Sequence, residues 1–352
     1  MLRNCLFVPA AVVALAHGAA APGALAQTPD RYSIPGEVVA VYNLAGSVTI
    51  ERGTGANVVV EVTRRGRDAE RLDVERTEVN GRAALVVRYP DGDVVYDGSG
   101  GSSQISVRRD GTFFGDGPRG SRVNIRRSGR GTDAHANLRI LVPAGRGVDL
   151  RLGVGAVTAT DIEGALDIDV AAAAVRTRST NGRLRIDTGS GSVVVDDAQG
   201  DNIVVDTGSG SVVVNGIRAD DLTVDTGSGR VSGTGIVARD LGVDTGSGSI
   251  TLSDVSASDI VLDTGSGRVD LDLVTQIESL VIDTGSGRVR LTVPADISAS
   301  VEVDTGSGGI ETDLPMSITR RSRTTLFGSL GSGDGRIVID TGSGGVSIVR
   351  RQ

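Results

Sequence analysis

The string Asp-Thr-Gly-Ser-Gly occurs eight times, beginning at Asp187, Asp206, Asp225, Asp244, Asp263, Asp283, Asp304 and Asp340. The successive spacings are 19, 19, 19, 19, 20, 21 and 36 residues. Two degenerate copies precede them in phase, with Val148 and Leu166 each leading the next unit by 18. A period near 20 residues restricts a chain to folds made by stacking one small unit on the next.

Within a unit the pattern is that of short strands. In Leu222-Thr223-Val224-Asp225-Thr226-Gly227-Ser228-Gly229-Arg230-Val231 the apolar residues alternate, stop at Gly and Ser, and resume. Alternation with period two marks strands buried on one face. Gly and Ser suit corners where the backbone turns sharply or approaches a neighbour. The aligned earlier unit has Ala171 to Ala174 at that place, which makes Gly favoured there but not obligatory. A single unit cannot offset the entropy of ordering itself with so few aliphatic side chains, so the units must share a core and ladder hydrogen bonds. A propeller blade normally takes about 40–45 residues, and successive units show no odd–even alternation that would pair them into blades. The fold class is therefore all-β: a parallel β-solenoid of about 19-residue rungs.

The flanks divide the chain. Residues 1–26 read as a secretory signal, with Arg3, an apolar run from Leu6 to Ala16 and the cleavage pattern Ala24-Leu25-Ala26. Residues 27–147 form a β-rich N-terminal cap holding a first rung, a hairpin at Asn80-Gly81 and a long, mobile insertion over 91–136. Solenoid repeats follow over 148–314. A loop excursion and a last rung at the C-terminal cap occupy 315–352. No later stretch approaches the 18 uninterrupted apolar residues of a membrane-spanning helix. Periplasmic, cell-envelope and extracellular destinations all fit.

Composition closes several chemistries. Once the leader is removed, Cys5 is gone and His135 is the remaining histidine, so Cys–His zinc sites and Cys–His or Ser–His nucleophiles lack raw material. A net charge of −8 and 2% aromatic residues argue against nucleic acid, which is bound through basic surfaces and stacking platforms. Asp-Thr-Gly is also the loop of aspartic proteases, but that chemistry needs two carboxylates sharing one proton, not a row along one edge. A polysaccharide-acting β-helix enzyme is the catalytic alternative, weakened because the rungs carry no Tyr or Trp platform. No catalytic residue or bound cofactor is expected.

The repeated aspartates have two readings. In one, each closes its own corner by accepting a backbone N–H, as in an Asx-turn. The sharper reading is a calcium-binding row made of Asp187, Asp206, Asp225, Asp244, Asp263, Asp283 and Asp304. A separate contact patch is expected in the insertion, where Phe113 and Phe114 look exposed beside Arg119, Arg122, Arg126, Arg127 and Arg130.

The leading strand into Asn43-Leu44-Ala45-Gly46-Ser47-Val48, the run Leu138-Arg139-Ile140-Leu141-Val142-Pro143, the corners at Asn181-Gly182 or Gly-Ser-Gly and the Gly-rich excursion from Gly328 to Gly335 form a pattern. It resembles the bacterial "putative adhesin" family of β-strand-repeat proteins. The resemblance covers roughly residues 36–349 and implies an exported β-solenoid at the cell envelope, with no catalytic residues to carry over. The functional expectation is a non-enzymatic, adhesin-like module that meets an envelope or surface glycan or protein through many weak contacts. The alternative is a structural or stress-related envelope component without an external ligand. Oligomeric state is open.

Overall fold

The computed structural model describes residues 28–114 and 120–351. The expected leader therefore lies outside the described residues, as does Arg119. The rungs stack as parallel strands in the phase that the repeat dictates. Val148 pairs with Leu166, and Leu166 with Leu184. Further along, Val193–Thr207, Val212–Thr226, Val231–Thr245 and Ile250–Thr264 lie in unbroken parallel register. Inward positions hold a column of aliphatic side chains, such as Leu222, Val224, Val231 and Ile236, at 0–1% exposure. That dry, branched interior needs few aromatic residues to fill it.

The rungs turn at two kinds of corner. One is the Gly-Ser-Gly corner. The other is a column of left-handed residues, Asp161, Ser179, Asp197, Gly216, Gly235 and Asp254, with φ between 53° and 67°. Asp and Gly tolerate this region better than branched residues, and each such residue bends its strand while the register with the next rung is kept.

At the Gly-Ser-Gly corner the second glycine is forced by its neighbour. A Cβ on Gly229, Gly248 or Gly267 would lie 1.7–1.8 Å from the carbonyl oxygen of the equivalent glycine one rung earlier. The permissiveness expected from Ala171 to Ala174 ends there: above Ala173, a Cβ on Gly191 would already lie 2.0 Å from a carbonyl oxygen.

The N-terminal rung, Val38–Arg52, pairs with Gly147–Glu163 on one side. On its other side it meets Arg82–Arg88 and His135–Val142, which are continued by antiparallel strands Asp73–Val79, Val58–Arg65 and Asp30–Ile34. The Asn80-Gly81 hairpin has both residues at positive φ, the geometry of a type I′ turn. A buried network fixes the rung's corner. The Tyr89 hydroxyl donates to Asn43 Oδ1 and accepts from the Ala45 N–H, while Asn43 Nδ2 donates to Ala136 O.

The insertion differs from its expected form. Val94–Val95, Ser103–Val107, Ser121–Arg126 and Thr132–Asp133 make a separate four-stranded sheet. Its apolar face, with Val94, Tyr96, Ile105, Phe113 and Ile125, packs on Tyr42, Leu44, Val154 and Ala172. The described part is therefore a packed layer, not a mobile loop. It covers the outward face of the first rungs, which explains why Val38–Arg52 is buried on both faces.

The C-terminal end also departs from sequence order. Gly335–Thr341 lies between Ser279–Thr284 and Ala299–Thr305, parallel to both. Val346–Arg350 likewise lies between Val289–Val293 and Ile310–Thr312. The last rung in sequence is thus the penultimate rung in space. The outermost strand Ala299–Thr305 is then closed by the antiparallel strand Thr325–Leu330, itself backed by Ser317–Arg321.

Candidate binding surface

Alternation along each rung points Thr of the repeated motif inward and Asp outward. Thr188, Thr207, Thr226, Thr245, Thr264, Thr284, Thr305 and Thr341 are all fully buried. The Thr245 hydroxyl accepts the Gly248 N–H at 3.0 Å and donates to Gly229 O of the previous rung at 3.1 Å. Thr226, Thr264, Thr284 and Thr341 repeat both bonds. Each hydroxyl satisfies one donor and one acceptor of a tight corner, which would otherwise be costly to bury. The Asx-turn expectation is therefore corrected: Thr closes the corner, and among the described residues no backbone N–H donates to a carboxylate of the row.

Freed from that task, the aspartates form one column. Register aligns Asp169, Asp187, Asp206, Asp225, Asp244, Asp263, Asp283, Asp340 and Asp304 in that spatial order. Strand spacing puts neighbours roughly 4.8 Å apart. Asp340 thus enters the row between Asp283 and Asp304, which their order in the sequence hides. All seven of the positions expected for calcium are on this column. They are strung along it and not gathered: among the described residues no group of three or more His, Cys, Asp or Glu side chains is disposed to hold a metal ion.

A cation heads the column. Arg151 is in register with Asp169 and bonds Asp149 at 3.0 Å and Asp167 at 3.0 Å, with Asp169 at 3.7 Å. Arg185 pairs with Asp187 at 3.1 Å. From Asp206 to Asp304 no carboxylate of the row has an ion-pair partner among the described residues. Partial desolvation at the corner, and then the adjacent carboxylate, raise Asp187, Asp225, Asp263 and Asp340 above the usual carboxylate range.

Burial pushes Asp169 up to about 6, against the pull of Arg151 and with the help of Asp187 and Asp167. A carboxyl whose folded pKa is raised stabilises the fold when protonated; that contribution is complete below the unfolded value and is lost as pH rises through the folded one. From 3.8 to about 6 is about two units; at 1.36 kcal/mol each, this is roughly 3 kcal/mol. Asp169→Asn should therefore be about 3 kcal/mol more stable than the parent at pH 7.5, an advantage that closes by about pH 4. Urea titrations across this range test it, and parallel stability curves would refute it.

The expected contact patch is only partly assembled. Phe113 is 1% exposed and packs edge-on against Tyr42 and Phe114, so it belongs to the core of the small sheet. Phe114 is half-buried. Arg122, Arg126, Arg127 and Arg130 are exposed, and Arg126 pairs with Asp93 at 3.3 Å. Phe113 is corrected from contact patch to core, where its ring fills the small sheet's apolar face against Tyr42.

Fold and surface together define a parallel β-solenoid with a closed end, a packed side layer and one acidic edge. The chain belongs to the Toastrack DUF4097 family, whose sequence profile matches residues 40–349. This bears out the resemblance read from the strand and corner motifs. The chain is also similar to a crystal structure described as a "putative cell adhesion protein" from Clostridium sporogenes, at 9% identity over 92% of this chain and 100% of that one, with a TM-score of 0.20. No curated protein matches the sequence. Among the described residues no helix is long and apolar enough to cross a membrane.

Proposed function

We propose that the chain is an exported, non-enzymatic, adhesin-like binding module of the cell envelope. The observation that carries this reading is the exposed aspartate column from Asp206 to Asp304. It offers unpaired charges at fixed spacing on a rigid backbone, so weak contacts with a repeating partner add without a further ordering cost. Such a surface suits a partner with repeated cationic or hydrogen-bond-donating groups. It lacks the opposed acid and base that hydrolysis of a glycan requires.

The test is co-sedimentation of the purified protein with isolated cell-wall and outer-membrane fractions, in calcium and in chelator. Saturable binding that weakens at least tenfold in the triple variant Asp225→Asn, Asp244→Asn, Asp263→Asn, with no sugar released, is the expected result. Loss in chelator would assign the contact to a bridging cation. Absence of saturable binding to any fraction would overturn the reading in favour of a structural envelope component.

A further inference from the structure

A second surface, near the closed end, has the opposite character. The in-register row Val269, Val289, Val346 and Ile310 points inward across four neighbouring strands. One residue before each stands the corner column Arg268, Arg288, Gly345, Gly309. One residue after each stands the column Asp270, Arg290, Ser347, Glu311. These two columns line an open cleft of about 610 Å³. Arg268 leans toward Asp270 at 3.9 Å, whereas the guanidinium groups of Arg288 and Arg290 have no ion-pair or hydrogen-bond partner among the described residues.

The two glycines at the cleft floor have no backbone reason to be glycine. A Cβ on Gly309 would meet nothing within 4 Å, and one on Gly345 would meet only Gly309 O at 3.4 Å; neither has a positive φ. Their neighbours Gly308 and Gly344, by contrast, would clash with carbonyl oxygens at 1.9 and 1.7 Å. At the same corner position other rungs carry Ser192, Ser211, Arg230 and Ser249. Side chains are thus tolerated in this column and missing only where their absence keeps the cleft open beside two free guanidinium groups.

We infer that this cleft is a binding site for an acidic saccharide, with its carboxylate or phosphate held by Arg288 and Arg290. Guanidinium forks match both anions in a bidentate geometry, and an unpaired pair of them keeps its donors available. Ser347 offers a hydroxyl, and Glu311 and Asp270 offer acceptors for sugar hydroxyls on the same floor. Those carboxylates also argue against a nucleic acid: three arginines facing two acids suit one anionic group on a hydroxylated frame, not a continuous run of phosphates. The inference rests on the reading of the chain as a binding module and names a ligand class for it.

The experiment is calorimetric titration of the full chain at low salt with galacturonate oligomers, a manno-oligosaccharide carrying a single terminal phosphate, inorganic phosphate and neutral malto-oligosaccharides. Binding to one of the two acidic oligomers, screened by added salt, is expected; which one identifies the anion. Arg288→Glu and Arg290→Glu should each weaken it at least tenfold, as should Gly309→Leu, which fills the cleft without adding charge. Arg218→Glu, the same charge change on an exposed site elsewhere, should leave it within twofold. The inference is overturned if neither acidic oligomer binds, if neutral sugars or inorganic phosphate bind equally well, or if Arg290→Glu and Gly309→Leu retain parental affinity. Envelope co-sedimentation that is intact while neither acidic oligomer binds would sink the cleft and leave the aspartate column standing.

Discussion

Removing residues 335–352 should disrupt the solenoid well inside the truncation point. A strictly sequential stack would lose one terminal rung and keep the rest. Here Gly335–Thr341 supplies the ladder partner of both Ser279–Thr284 and Ala299–Thr305, so its loss leaves a gap between rungs. Four buried aliphatic side chains go with the removed segment: Ile337, Ile339, Val346 and Ile348. At roughly 1.5–3 kcal/mol each they represent on the order of 6–12 kcal/mol of gross burial, comparable with the net stability of a whole domain at about 5–15 kcal/mol. Hydrogen exchange should show protection lost over 299–330 as well as at Ser279–Thr284. Amides of Ala299–Thr305 that stay as protected as in the full chain would contradict the intercalated arrangement.

Gly248→Ala should be among the most damaging single methyls in the molecule's centre. Its Cβ would lie 1.7 Å from Gly229 O and 2.5 Å from Gly229 C, and both are backbone atoms held by ladders on either side. Relief requires two rungs to separate locally, which also pulls the Thr245 hydroxyl from Gly229 O. A loss above ~4 kcal/mol is expected, in the range reserved for severe backbone or packing faults. Gly242→Ala is the control, since a Cβ there meets nothing within 4 Å. An Ala in that strand should be neutral or stabilising by about 0.5–1 kcal/mol. Equal urea midpoints for the two variants would show that the close approach of rungs is not what holds these glycines.

The candidate surfaces were unequally visible in the sequence. The aspartate column follows from period and alternation alone, because a fixed repeat in parallel register must align identical positions. The same alternation, counted one residue further, turns Thr inward, so its corner role was there to be found. Arg151 as head of the column was not, since its link to Asp169 passes through a degenerate unit without the motif. Phe113 looked exposed amid Gly, Arg and Asp, and only the docking of the small sheet on Tyr42 shows it to be core.

What the sequence determined by itself is the local and the periodic: rung length, parallel stacking, the inward and outward faces, the Asn80-Gly81 turn. Those depend on residues near one another or on identical environments repeated at a fixed interval, and both are written directly in residue order. What the tertiary structure decided is which non-repeated segments meet. It placed the insertion as a layer over the first rungs, slid the last rung between two earlier ones, and brought Arg288 and Arg290 beside Gly345 and Gly309. Such contacts join segments whose separation follows no period; they are selected by apolar surface left uncovered and edges left unpaired, quantities that exist only once the chain has folded.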